Sequence, residues 1–217
     1  GIRSHADKVA VQAAGTSNVA ELTKHLGMPP GDRVSGSTAW KAGIDIKRGQ
    51  TDLVVDSDLL GVTSRLPEPL AKAATVPLAL RVEKTTGEGG RQQFKAALGD
   101  VAQALAIRRG DALERAVVVL GSGEARLPDS GVALRIAVPR FDADAWEALL
   151  GGNGTARSGA RMPALDSVAI RAPALRLMGR EFTQVSAEGR PRDEGWQIAL
   201  VSDQAAGDLF WRTTGGG

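Results

Sequence analysis

The feature that most constrains the fold of this chain is the alternation of apolar and polar residues in short segments. In residues 40–47 every second residue is apolar and the residues between them are charged or glycine, in the order Trp40, Lys41, Ala42, Gly43, Ile44, Asp45, Ile46, Lys47. A period of two places successive side chains on opposite faces of a β-strand. The segment therefore predicts a strand with one apolar face and one charged face.

The same alternation recurs along the whole chain. Its apolar positions include Leu53/Val55, Leu80/Val82, Val117/Val119, Leu134/Ile136, Val168/Ile170 and Ile198/Leu200. Glycine-containing turn signals separate these segments, for example at Gly87–Gly90 and Gly121–Gly123. Short alternating segments divided by turns, with few helices between them, favour antiparallel hairpins over βαβ units. The fold class predicted is mainly β.

Two short helices interrupt this pattern. Asn18 and Glu21 have the spacing of a capping box, and the helix that they begin would end at Gly27. Asp144 and Glu147 have the same spacing before Gly151. Residues 151–159 then have the composition of a flexible loop.

Residues 92–107 fit two secondary structures. Phe94, Leu98, Val101 and Leu105 form a helical stripe, but they also share one face of a hairpin that turns at Gly99. In that hairpin Leu98 would pair with Val101, and Phe94 with Leu105. A glycine inside a helix costs about 1 kcal/mol, which favours the hairpin.

The residues that could perform chemistry are few and dispersed. There is no cysteine, and the two histidines, His5 and His25, belong to different predicted elements. Asp52, Asp56 and Asp58 fall on one face of an extended strand, where no loop could wrap around a cation. We therefore expect no catalytic residue, no metal site and no cofactor.

The charge distribution argues against nucleic acid as a partner. Lys and Arg number 27 against 25 Asp and Glu, and they are scattered along the chain, without a basic stripe. No apolar run approaches the ~20 residues of a membrane-spanning helix. The glycines at both ends, Gly1 and Gly217, resemble cut points, so we expect a segment of a longer protein.

Two arrangements satisfy this pattern of one-sided strands. In a closed β-sandwich, two sheets bury each other's apolar faces. In a curved single sheet, the apolar face would line a groove that accepts hydrocarbon chains. The alternation is the same in both.

A set of motifs, in order along nearly the whole chain, resembles the YhdP family of AsmA-like envelope proteins. The motifs are Ser35–Trp40, Leu59–Val62, Leu66–Lys72, Pro77–Val82, Leu127–Val132, Pro139–Asp142, Trp146, Leu165–Val168, Gly179–Phe182, Trp196 and Ala206–Trp211. Val132 stands where the family pattern would have leucine. The specificity of the resemblance lies in the order and spacing of the motifs.

The resemblance implies a periplasmic segment of a protein anchored in the inner membrane, with a role in phospholipid transport between the inner and outer membranes. It implies a strongly curved, groove-like antiparallel sheet that binds acyl chains, and it favours strand for residues 92–107. Other envelope proteins are possible partners. The alternative is a structural or interaction sandwich in an envelope protein that binds no lipid.

The expected groove lining is the set of apolar positions with strand alternation. It comprises Trp40, Ile44, Ile46, Leu53, Val55, Leu80, Val82, Val117, Val119, Leu134, Ile136, Val168, Ile170, Ile198 and Leu200. We expect residues 1–217 to be one fragment of the larger groove, with a possible sub-boundary at residues 84–91 and a helix-loop segment at residues 142–160.

Overall fold

The computed structural model describes residues 2–5, 8–19, 33–47, 50–151, 165–193 and 195–212. Most of these residues lie in β-strands. The strands are β1 Ile2–His5, β2 Lys8–Asn18, β3 Val34–Lys47, β4 Gln50–Ser57, β5 Val62–Ser64, β6 Leu80–Thr86, β7 Arg91–Leu98, β8 Ala102–Arg109, β9 Ala112–Gly121, β10 Gly131–Ala137, β11 Arg140–Asp142, β12 Ser167–Leu177, β13 Arg180–Arg192, β14 Gly195–Val201 and β15 Ala206–Arg212. An α-helix, α1, spans Ala143–Gly151, and a 3-10 turn spans Glu88–Gly90.

The fifteen strands belong to one sheet. Neighbouring strands follow the order β1-β2-β3-β4-β6-β7-β8-β9-β10-β12-β13-β14-β15, while β5 pairs with β3 and β11 with β12. The sheet begins at β1 and ends at β15 without closing on itself. The prediction of a mainly β, groove-like open sheet is confirmed, and the described residues contain no second sheet of the kind that a sandwich requires.

Antiparallel hairpins build the first half of the sheet, as the alternation predicts. In β4, for example, Val55 pairs with Ala42 of β3 and with Val82 of β6. Residues 84–91, the possible sub-boundary, include the turn between β6 and β7. These two strands pair with each other from Leu80/Leu98 to Thr86/Gln92.

The ambiguous segment 92–107 is a hairpin, formed by β7 and β8. Its turn places Gly99 at φ 51°, a left-handed conformation that glycine adopts without strain. The expected register is wrong by one residue, because Leu98 pairs with Ala102 and Phe94 with Ala106. The three-residue turn adds one residue to the loop, and this moves Leu105 to the face opposite Phe94.

The middle of the sheet departs from the predicted hairpins. β10 is parallel to both of its neighbours, β9 and β12, and β11 is also parallel to β12. Parallel neighbours require a crossing connection. Residues 122–130 connect β9 to β10, and the connection from β10 to β12 contains α1.

The second predicted helix is confirmed as α1, but its predicted cap is wrong: the helix begins before Asp144, whose carboxylate accepts hydrogen bonds from the amides of Met178 and Gly179. The first turn of α1 is held by Asp142, whose carboxylate accepts a hydrogen bond of 2.9 Å from the Ala145 amide. The predicted loop at residues 151–159 begins one residue too early, because Gly151 ends α1, and residues 152–159 lie outside the described residues, as do residues 20–27 of the helix predicted after Asn18.

Side chains buried among other side chains concentrate around β9–β13. One cluster joins Leu120 and Ile136 to Phe141, Ala172, Leu175 and Val185. Trp146 of α1 packs against it, with its ring stacked on Phe141 at a centroid distance of 6.4 Å. This half of the sheet therefore has a conventional hydrophobic core.

A long connection, residues 65–79, crosses from β5 to β6. Leu70 packs against the β9–β13 cluster, and the Glu68 carbonyl accepts a hydrogen bond from the Trp146 indole at 3.1 Å. The Lys72 ammonium donates to the carbonyls of Leu59 and Val62, both at 2.8 Å, and of Ala73 at 3.1 Å. The connection thus joins the β3–β5 end of the sheet to α1.

Candidate functional site

The pairing register defines one continuous apolar face of the sheet, because residues opposite each other in neighbouring strands point to the same side. We call it the apolar face. From β2 to β10 it is lined by Val9, Val11, Ala13, Ile46, Ile44, Ala42, Trp40, Leu53, Val55, Val82, Leu80, Phe94, Ala96, Leu98, Ala106, Ala104, Ala102, Ala116, Val118, Leu120, Val132, Leu134 and Ile136. It continues through Val168, Ile170, Ala187, Ile198 and Leu200.

Between β2 and β8 the apolar face is open to solvent. None of its hydrophobic side chains in these strands is buried, and Ile46 is 38% exposed. The described residues supply no second layer over this part of the face. A solvent-exposed apolar surface extending over several strands is unusual for a soluble protein and marks an interaction site.

Beyond β9 the same face is partly covered. α1 and Leu70 of the long connection pack on it through the β9–β13 cluster. Farther along, a hollow of about 210 Å³ remains, lined by Val168, Ile170, Ala187, Gly189, Trp196 and Ile198. The apolar face therefore passes from an open stretch, past a covered stretch, to a small depression lined by aliphatic and aromatic side chains.

Most of the predicted lining residues lie on the apolar face. They are Trp40, Ile44, Ile46, Leu53, Val55, Leu80, Val82, Leu134, Ile136, Val168, Ile170, Ile198 and Leu200. The structure thus brings together on one surface residues from strands that are distant in sequence. Contact between these residues and lipid stays a prediction.

The assignment of Val117 and Val119 to this face is wrong. Both are buried on the opposite face in a cluster with Ala133, against which Ala125 and Leu127 of the crossing connection pack. Val118, which pairs with Ala104 and Leu134, occupies the apolar face instead. The run Ala116–Leu120 has no polar residue to set its phase, so alternation could not assign its faces.

Several lining residues were absent from the sequence prediction. Ala96, Ala104 and Ala106 form a row of small side chains across β7 and β8, beside Phe94. Alanine is a weak strand signal, and it is common on both faces. The cross-strand partners, Val82 above all, would have identified these positions once the hairpin register was known.

Trp40 is anchored at one end of the apolar face. Its indole N–H donates to the Ser17 hydroxyl at 2.8 Å, and its ring lies over Gly15 of β2. A Cβ atom at residue 15 would stand 3.0 Å from the ring atom Cζ2. Gly15 therefore leaves room for the ring to lie against the sheet.

The opposite, polar face carries paired charges. The Arg81 guanidinium binds Asp56 at 2.9 Å and Glu83 at 2.5 Å. The hydrogen bonds that Arg81 donates to Glu83 and Asp56 raise the pKa of Arg81, and the hydrogen bond that Glu83 accepts from Arg81 lowers the pKa of Glu83. These are exposed pairs, which contribute little to stability.

A hollow of about 650 Å³ lies on the polar face against Ala14, Lys41, Asp56, Arg81 and Ala97. Trp40 and Leu80 also border it, and its wall combines apolar side chains with the charged groups of the polar face. Among the residues that the structure describes, no three His, Cys, Asp or Glu side chains are grouped to hold a metal ion. No helix within the described ranges is long and apolar enough to cross a membrane.

Comparison with known proteins gives a family match along nearly the whole chain. The family model described as YhdP protein matches residues 2–217. The chain is also 30% identical over 196 residues to the Intermembrane phospholipid transporter YhdP of Escherichia coli (strain K12). That alignment covers 83% of this chain but 15% of the transporter, so the chain spans a small part of its relative's length. No solved structure matches. The chain belongs to the YhdP family.

Proposed function

We propose that this chain is a periplasmic, non-enzymatic segment of a phospholipid-transport protein and that its apolar face binds acyl chains. The observation that carries the proposal is the stretch from β2 to β8, where an apolar face runs across successive strands with its hydrophobic side chains unburied. A ligand that is itself long and apolar would remove the largest part of this face from water.

The physical chemistry of such binding is simple. Each CH₂ group transferred from water to an apolar surface gains about 0.8 kcal/mol. An acyl chain needs a continuous track of hydrocarbon rather than individual polar contacts. The small side chains Ala96, Ala104 and Ala106, flanked by Val82 and Phe94, would form a floor without protruding groups.

The name of the Escherichia coli relative supports the same substrate class. A transporter that works between two membranes has to carry its cargo across an aqueous compartment, and we propose that this segment lies there, in a protein anchored in the inner membrane. Neighbouring modules of the same protein, together with other envelope proteins, would extend the track. We propose no cofactor, no nucleic acid and no catalytic residue.

The test uses Val54 and Val55, adjacent residues of one type in β4. Val55 lies on the apolar face between Ala42 and Val82, whereas Val54 lies on the polar face between Gly43 and Glu83. A photoreactive amino acid at residue 55 of the complete protein should cross-link to phospholipid in living cells. The same amino acid at residue 54 is the matched control and should not.

Native mass spectrometry provides a second readout. Val55→Asp should reduce co-purified phospholipid roughly ten-fold, because a carboxylate in the track adds a desolvation cost of more than 1.4 kcal/mol. Val54→Asp should leave it unchanged. Equal cross-linking from both positions, or no lipid on the unaltered protein, would overturn the proposal.

A further inference from the structure

Two charged side chains stand on the apolar face between β2 and β10, and both are cationic. Lys84 of β6 pairs with Leu53 and Phe94, and Arg108 of β8 pairs with Gln92. The acidic residues of these strands pair along the polar face, as Asp45 does with Asp52 and Glu83 with Lys95. Among the described strands from β2 to β10, the apolar face thus carries positive charge and no negative charge.

The two cations are close to each other. Lys84, Gln92 and Arg108 occupy three successive strands at the same end of the sheet, with Gln92 beside Arg108 and Phe94 beside Lys84. Strand spacing and rise place the Cα atoms of Lys84 and Arg108 roughly 12 Å apart. Side chains of this length can converge on one small group held above Gln92.

The partners of these cations differ from those of the basic residues on the polar face. Arg81 there binds Asp56 and Glu83, while Arg91 and Arg109 both bind Glu114. The ammonium group of Lys84 has no hydrogen bond or ion pair with another described residue. Arg108 has Asp111 at 3.6 Å, in the exposed turn that follows β8. The Lys84 ammonium is therefore available to an anionic ligand, and the Arg108 guanidinium becomes available by releasing the exposed Asp111.

We propose that Lys84 and Arg108 bind the phosphate group of a phospholipid whose acyl chains lie along the apolar face. This inference rests on the proposed function and adds a headgroup site to it. An Arg fork and a Lys ammonium suit phosphate oxygens, and charge-assisted hydrogen bonds are about twice as strong as neutral ones. The site lies at the strand ends away from Trp40 and the long connection, so the headgroup stays at the edge of the sheet, in water.

The experiment measures the affinity of the complete protein in detergent for three probes. The probes are phosphatidylglycerol, diacylglycerol with the same acyl chains, and inorganic phosphate. The unaltered protein should bind phosphatidylglycerol about ten-fold more tightly than diacylglycerol, since a charge-assisted bond contributes at least that factor. It should bind inorganic phosphate much more weakly than either lipid.

The double variant Lys84→Met/Arg108→Met should reduce the affinity for phosphatidylglycerol to that for diacylglycerol and leave diacylglycerol binding unchanged. The matched control, Lys47→Met/Lys95→Met, removes two lysines from the polar face and should retain the preference for phosphatidylglycerol. Circular dichroism spectra identify any variant that fails to fold, and Lys84→Gln/Arg108→Gln then takes its place.

Each remaining outcome contradicts the headgroup site. If the unaltered protein binds both lipids equally, the headgroup site is wrong while the acyl-chain proposal stands. If it binds neither lipid, both proposals are wrong. An equal loss of both lipids in the folded double variant would assign the two cations to the track itself. Inorganic phosphate bound as tightly as phosphatidylglycerol would show a free-anion site instead.

Discussion

Val118 and Val119 are neighbours in β9, yet Val118 is 37% exposed on the apolar face and Val119 is 1% exposed on the other face. The reason is the crossing connection, whose Ala125 and Leu127 pack over Val117 and Val119. Parallel pairing of β9 and β10 requires this crossing, and the chain covers the polar side of the sheet as it crosses. The same residue type therefore serves two purposes at adjacent positions, burial in a core and exposure on the candidate lipid track.

Val117→Asp should destabilise the protein by about 3 kcal/mol or more, because it buries an unpaired carboxylate between Leu105 and Ala133 on the same face as Val119. Val118→Asp should change stability little, since its side chain is exposed, but it should reduce bound phospholipid. Chemical denaturation measures the first effect and native mass spectrometry the second. Similar losses of stability in both variants would mean that the apolar face is a closed core.

The two faces of strands with mixed composition could be assigned from the sequence, whereas the faces of strands with uniform composition could not. Trp40–Lys47 alternates with charges, so its faces were assigned correctly. Ala116–Leu120 contains no polar residue, so both faces fit it equally well. The burial of Val119 comes from residues 122–130, which reach it through tertiary packing that no local pattern records.

An apolar face could be predicted from the sequence, but the register of the β7–β8 hairpin within it could not. One extra residue in the turn after Leu98 exchanged the faces of β8, and this places Arg108 beside Gln92 on the apolar face. Turn length depends on backbone geometry at Gly99 and Asp100, which the alternation does not encode. The cationic pair of Lys84 and Arg108 could therefore be identified only once the pairing of the strands was known.

Lys72→Met should lower the free energy of unfolding by about 2 kcal/mol. The substitution removes three N–H donors from the carbonyls of Leu59, Val62 and Ala73, and hydrogen bonds to a charged group contribute about 1.5–3 kcal/mol. Lys41→Met, at an exposed position on the polar face, is the control and should change stability by less than about 0.5 kcal/mol. Equal midpoints for both variants in urea would contradict a structural role for the Lys72 ammonium.

Gly15→Ala should displace the Trp40 ring, because the added Cβ would stand 3.0 Å from Cζ2. We expect the tryptophan emission to shift and the Ser17 hydrogen bond to weaken, at a cost of about 1 kcal/mol. Gly43→Ala is the matched control, since a Cβ there meets nothing within 4 Å. It should be neutral or stabilise by about 0.4–1 kcal/mol through the entropy of the unfolded chain. A shift in emission from Gly43→Ala alone would contradict the packing of Trp40 on Gly15.

The acid sensitivity of the sheet should depend on Glu83. The hydrogen bond from Arg81 lowers the pKa of Glu83 below its ordinary value of 4.5 in the folded protein. A lowered folded-state pKa gives stability that is present above pH 4.5 and is lost as the pH falls through the folded pKa. Glu83→Gln removes this dependence, so its stability should fall less steeply than that of the unaltered protein below pH 4.5. The effect should be small and should shrink in 1 M salt, because the pair is exposed to solvent.

Glu88→Gln, at an exposed turn position on the same hairpin, is the control and should leave the slope of stability against pH unchanged. A steeper acid slope in Glu83→Gln would show that the contact with Arg81 opposes folding instead of supporting it.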